Sequence, residues 1–171
     1  MVTLRPGKCY RSLTRPYTRK SKKKKKGFIK SIPSSKVSRY STGDTKRVFE
    51  KKVVLKAKDA IQIRHNALES SRVIINRHLN KRVGPKDYLL RVIAYPHHVL
   101  RENKMLTGAH ADRLQTGMAH SFGRTIGVAA QLKKGSVLFL VGIDSKNIEA
   151  AKDALKRAKH RLPGKTMVEI V

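Results

Sequence analysis

Apolar residues recur with two different periods along this chain, and the switches between them outline its elements. From residue 47 the pattern alternates: Phe49, Val53 and Leu55 share one face, with Lys51 as the exception, so 47–56 reads as a strand. Ile61 and Ile63 form a second short alternation. Asn66 followed three residues later by Glu69 is a capping-box pattern, and it predicts a helix to about Leu79. That helix would bury Leu68, Ile75 and Leu79, with Arg72 reaching around its rim. The run 88–95 (YLLRVIAY) is apolar on nearly both faces and is stopped by Pro96, which predicts a buried strand. Ile126, Val128, Ala130 and Leu132 alternate again. A turn at 133–136 (KKGS) leads into the buried run 137–143 (VLFLVGI), so these two strands are expected to form a hairpin. Asp144 or Ser145 then caps the best helix in the chain. Ile148, Ala151, Leu155, Ala158 and Leu162 recur there at spacings of three and four, and Pro163-Gly164 ends it. A closing strand follows at 166–171. Two helices on a mostly antiparallel sheet predict an α+β domain spanning 47–171.

Two stretches fall outside this pattern. Residues 1–46 have no apolar period and are punctuated by Pro6, Pro16, Pro33, Gly7, Gly27 and Gly43. Their basic residues are interleaved with Tyr10, Tyr17, Phe28 and Tyr40, which suits an extended arm laid along RNA, where cations meet phosphates and rings stack on bases. The second stretch, 101–125, is too long for a turn and carries Gly108, Gly117 and Gly123. Connections of that length inside a compact domain are usually functional or disordered.

Charge sharpens this picture. The chain of 171 residues has 40 Lys+Arg against 11 Asp+Glu, a formal +29. Residues 1–47 hold 16 of the basic residues and a single acid, Asp44, which leaves 24 basic and 10 acidic residues for the rest. The globular part is therefore itself strongly positive, and a polyanionic partner is implied. Arg77, His78, Lys81 and Arg82 crowd the end of the first helix and the turn before Gly84-Pro85. The helix macrodipole alone favours cations there, but four together favour a phosphate contact.

Catalytic chemistry is poorly represented. The acids are scattered rather than paired as metal-assisted phosphoryl chemistry requires. Asp112 beside Arg113 reads as an ion pair or helix cap, and His97-His98 has no partner at metal-ligand spacing. Gly164-Lys165-Thr166 looks like the end of a phosphate-binding loop, but Lys159 stands where its first glycine belongs and a strand follows in place of a helix. Cys9 is alone, which excludes an intrachain disulfide. No run approaches the roughly 18 apolar residues of a membrane span. The start of the chain lacks a signal-peptide core, and a cytoplasmic protein without metal or cofactor is expected.

Several ordered motifs resemble one family. They are Arg5-Pro6-Gly7-Lys8-Cys9-Tyr10-Arg11, Tyr17-Thr18-Arg19, Ile63-Arg64-His65-Asn66-Ala67-Leu68-Glu69, the run 91–104 (RVIAYPHHVLRENK), the stretch from Gly108 to Gly117-Met118, and Arg161-Leu162-Pro163-Gly164-Lys165. Over essentially its whole length the chain resembles large-subunit ribosomal protein ten-e of archaea and eukaryotes, the counterpart of bacterial large-subunit protein sixteen. The resemblance implies an α/β-hammerhead-like fold near the base of the central protuberance, in contact with 23S-type rRNA and other large-subunit proteins. It also implies proximity to 5S rRNA and the A-site tRNA, with the internal loop, here about 105–122, pointing to the peptidyl-transferase centre and P-site tRNA.

The candidate rRNA contacts on the arm are then Arg5, Lys8, Arg11, Arg15, Tyr17, Arg19, Lys20, Lys22, Lys23, Lys24, Lys25, Lys26, Lys30, Lys36 and Arg39. On the domain they are Arg64, Arg72, Arg77, His78, Lys81, Arg82, His97, His98, Arg101 and Lys104. The loop candidates are Met105, Gly108, Ala109, His110, Asp112, Arg113, Gly117, Met118, His120 and Arg124, and Ala119 stands where relatives commonly carry Arg. Charge and fold alone also suit a second reading, an RNA-binding architectural or ribosome-maturation factor acting outside the ribosome.

Overall fold

Strands β2 (Lys51–Ala57) and β7 (Val137–Ile143) lie side by side at the centre of the fold; β7 is apolar on nearly both faces, and β2 buries Val53, Val54, Leu55 and Ala57. The computed structural model describes residues 5–13, 29, 31–102 and 123–171. The other elements are β1 (Ser41–Gly43), β3 (Ile61–Arg64), helix α1 (His65–Arg82), β4 (Tyr88–Val92), β5 (His98–Glu102), β6 (Arg124–Leu132), helix α2 (Ile148–Ala158) and β8 (Thr166–Ile170). Short 3-10 turns occupy Gly7–Cys9, Ser145–Asn147 and Lys159–Arg161. Five strands form one sheet in the order β1-β4-β7-β2-β8, and three form a second in the order β3-β6-β5. Every pairing among them is antiparallel. The α+β class expected from the pattern holds.

One core serves both sheets. Val53, Leu55, Leu90, Phe139, Val141 and Ile143 from the large sheet meet Leu68, Ile75 and Leu79 of α1 and Ala151, Ala154, Leu155 and Ala158 of α2. Ile61, Ile63, Ala130 and Leu132 of the small sheet join the same cluster. Each fully buried Leu or Ile contributes about 1.5–3 kcal/mol relative to exposure. The three buried alanines of α2, Ala151, Ala154 and Ala158, let it lie close to its neighbours.

Several local expectations need correction. The two strands flanking 133–136 do not form a hairpin: β6 pairs with β3 and β5, while β7 pairs with β2 and β4. The turn itself forms, with Ser136 N–H donating to Lys133 O (3.1 Å), but Ala57 and Gly135–Ser136 exchange backbone hydrogen bonds that steer the chain from one sheet to the other. Strand β2 starts at Lys51, so Phe49 lies off the ladder. Its ring covers Gly142, where an added Cβ would sit 3.3 Å away, and it is not part of the Val53–Leu55 cluster. The run 88–95 leaves the ladder after Val92, where the Ile93 and Ala94 amides both turn to Leu138 O (2.9 and 3.3 Å).

Neither predicted helix cap forms. Helix α1 begins at His65 without a side-chain cap and continues to Arg82, and Glu69 is used elsewhere. Asp144 pairs with Arg47 (2.6 Å), Ser145 Oγ donates to Glu50 (2.6 Å), and α2 starts at Ile148 after the 3-10 turn. Strands β1 and β5 have no signature in the apolar pattern. In β5, Val99, Leu100 and Arg101 are buried in succession, because the register shifts between Leu100 and Arg101 and breaks the alternation. Val37 and β1, within the stretch read as an arm, belong to the core and the large sheet.

Candidate RNA interface

The small sheet holds the first described residues of the chain. Gln62 N–H donates to Arg11 O (2.9 Å), and its side-chain amide donates to Tyr10 O (2.7 Å). Gln131 in turn donates to Gln62 Oε1 (3.0 Å), which fixes that amide in the donating orientation. Arg64 donates to Arg5 O (2.9 Å) and lies over the Tyr10 ring at 5.4 Å, a cation–π contact. Arg5 completes the set with an ion pair to Glu102, the last residue of β5. Burial first, and Glu102 second, push the Tyr10 phenol pKa up. The docked segment is thus tied to the strand that enters the long loop.

Strands β5 and β6 pair as far as Glu102 opposite Arg124, so the two ends of the loop start side by side. Arg101 lies at this base, 9% exposed, and its Nε and Nη2 find no acceptor among the described residues. Burial lowers its pKa. Such a guanidinium stays charged, so its empty donors favour an acceptor brought from outside. His98 is half-buried at the start of β5, and burial, then His97 and Arg101, lower its pKa. His97 is exposed, with Nδ1 3.1 Å from Tyr95 O. Exposed Tyr95 stacks on Tyr40, ring centroids 5.6 Å apart.

Arg72 is the candidate that the fold turns inward. It is 8% exposed, and its guanidinium donates to Glu69 (2.9 and 2.6 Å), Ser38 Oγ (3.1 Å) and Thr42 Oγ1 (3.5 Å). Glu69 also accepts from the Ser38 amide and hydroxyl, so the pair pins residues 38–42 to α1. Lys36 donates its backbone N–H to His65 Nδ1 (3.2 Å) in the same seam. Lys8, Arg11, Arg39, Arg77, Lys81, Arg82 and Arg124 are exposed. Arg77, His78, Lys81 and Arg82 line a cleft of about 600 Å³ together with Arg157 of α2, which the sequence pattern did not single out. Arg15, Tyr17, Arg19, Lys20, Lys22, Lys23, Lys24, Lys25, Lys26, Lys30 and Lys104 lie outside the described residues. So do Met105, Gly108, Ala109, His110, Asp112, Arg113, Gly117, Met118 and His120.

The pins Glu69, Gln62 and Glu102 were also missed as partners of basic residues. The i,i+3 spacing of Glu69 and Arg72 on α1 could have signalled that pair, whereas the contacts of Gln62 with Tyr10 and Arg11 and of Glu102 with Arg5 have no local spacing to signal them. Among the described residues no group of three His, Cys, Asp or Glu could hold a metal ion, and no helix is long and apolar enough to cross a membrane.

Fold and surface together define a class: a strongly basic two-sheet α+β protein in which residues 103–123 join two antiparallel strands, β5 and β6. The chain belongs to the family described as Ribosomal protein L16p/L10e, whose model matches residues 16–169. It is similar to a protein of Methanococcus aeolicus named large ribosomal subunit protein uL16, 42% identical over 170 residues that cover 99% of this chain and 95% of the relative. Proteins of the same name from Saccharolobus islandicus (43% identical, 99% and 94% covered) and Staphylothermus marinus (42%, 95% and 90%) match comparably.

Proposed function

We propose that this chain is a structural, non-catalytic constituent of the large subunit of the cytoplasmic ribosome. The observation that carries the reading is family membership over nearly the full length, with relatives whose names assign them to that subunit. The +29 charge supports a polyanionic partner on the same account. In the finer reading the chain binds 23S-type rRNA close to 5S rRNA and the A-site tRNA, alongside neighbouring large-subunit proteins. Within residues 1–46, the part ahead of Val37 acts as the rRNA-bound arm, and the loop at 101–125 reaches toward the P-site tRNA and the peptidyl-transferase centre. The Arg5–Glu102 pair and the β5–β6 ladder support this division, since they couple arm and loop base mechanically. Arg101, with donors open at that base, suits a phosphate or carbonyl acceptor supplied by the particle.

The test is co-sedimentation of the tagged chain with ribosomal subunits through high-salt washes. Retention on the large subunit is expected. Release into the free fraction, or association restricted to immature particles, would favour the maturation-factor reading instead.

A further inference from the structure

We infer that the seam between α1 and α2 is a second RNA-backbone site, in which Arg77, His78 and Lys81 of α1 and Arg157 of α2 enclose a phosphodiester. The inference rests on the ribosomal reading above and adds a site on the helical side of the molecule. Ile74, Arg77, His78, Lys81 and Arg82 follow one another at helical spacing, so a single stripe of α1 carries them. The neighbouring stripe, with Leu68, Ile75 and Leu79, is in the core. Arg157 reaches the same cleft from α2.

Like charges three and four residues apart on a helix destabilise it by a few tenths of a kcal/mol each, so such a stripe calls for a compensating anion. Within the described residues the protein supplies little. Arg82 pairs with Asp153 (3.0 Å), while no ion pair is formed by Arg77, Lys81 or Arg157. The helix macrodipole rationalises a cation or two in the last turn of α1. It does not explain why a cation from a second helix points into the same cleft. His78 is the other unexplained member: its Nε2 is buried and has no hydrogen-bond partner among the described residues. A cleft of about 600 Å³ has room for a nucleotide-sized length of backbone.

His78 also reports on occupancy. Burial, then Arg157, Arg82 and Lys81, lower its pKa, opposed by Asp153. A phosphate among those cations cancels part of their field, so the His78 titration midpoint moves up when the site fills. The experiment follows the histidine ring resonances of the full chain by NMR as pH is varied. It compares free protein, protein with a short RNA duplex, and protein with inorganic phosphate at the same phosphate concentration. RNA is expected to raise the His78 midpoint by several tenths of a pH unit, and free phosphate to raise it less. Arg157→Gln should abolish the rise and reduce the log–log salt slope of RNA binding by about one. Lys134→Gln, on the turn before β7 and outside the cleft, should leave the His78 response intact. RNA binding with an unmoved His78, equal effects of the two substitutions on His78, or a rise with inorganic phosphate as large as that with RNA would each overturn the site. A wild-type chain that binds no RNA would instead remove the ribosomal reading, and this site with it.

Discussion

Glu69 shows how a residue's role depends on what folds against it. In the chain it sits three positions after Asn66 and looks like half of a capping box. In the fold it holds a buried arginine and the Ser38 segment. The Arg72 guanidinium, and then the Ser38 donors, hold its carboxyl below the ordinary glutamate range. Since the folded pKa is depressed, the stability it contributes is present above the unfolded value near 4.3 and is lost as pH falls through the folded value. Glu69→Gln leaves Arg72 buried without its counter-charge, so at pH 7 it should cost about 3 kcal/mol, read as a drop in the urea midpoint. The gap between variant and wild type should narrow on acidification below pH 4.5. A gap that stays constant down to pH 3 would mean that the carboxylate charge is not what holds this seam.

At the scale of elements, connections were harder to read than the elements themselves. The alternation in 126–132 and the apolar run 137–143 identified both strands correctly, yet their partners are in different sheets. A two-residue period says which face is apolar, and nothing about which neighbour completes the ladder. Glycines in the left-handed region show the same dependence on surroundings. Gly43 (φ 92°) and Gly135 (φ 82°) both end or begin a strand-linked turn. A Cβ at Gly43 would overlap the Tyr88 carbonyl oxygen, where β1 meets β4, whereas one at Gly135 would meet nothing within 4 Å. Gly135→Ala should therefore cost only the conformational penalty of about 1–2 kcal/mol. Gly43→Ala should cost at least twice that and detach β1, detectable as loss of amide-exchange protection at Ser41–Gly43. Equal losses of stability would contradict the steric account.

For the whole molecule, two kinds of basic residue emerge: those spent on internal pairing and those left facing outward. Arg5, Arg47, Arg72 and Arg82 make ion pairs, and Arg64 holds a carbonyl and a ring. The many that remain support binding dominated by phosphate neutralisation. If about eight phosphates are contacted, the log–log salt slope of rRNA binding should be about −6 to −7, measured by filter binding across a salt series. A salt-insensitive affinity would refute the electrostatic account. On the same division, Arg11→Ala should weaken incorporation into subunits, whereas Arg124→Ala at the loop base should spare incorporation and lower translation.

The sequence by itself determined the α+β class, the two helices, the strands read at 47–56 and 137–143 and the excess of positive charge. These follow from local periodicity and composition, which each segment carries within itself. Only the tertiary structure decided that the strands divide between two sheets, that Val37 and β1 belong to the core, that Arg72 faces inward and that Arg157 joins the α1 cations. Only the Arg72–Glu69 pair on α1 is local; the strand pairings and the Arg72 hydrogen bonds to Ser38 and Thr42 join residues 22 or more positions apart. No window of sequence holds both partners of such a contact, so their meeting depends on how the whole chain buries its apolar faces.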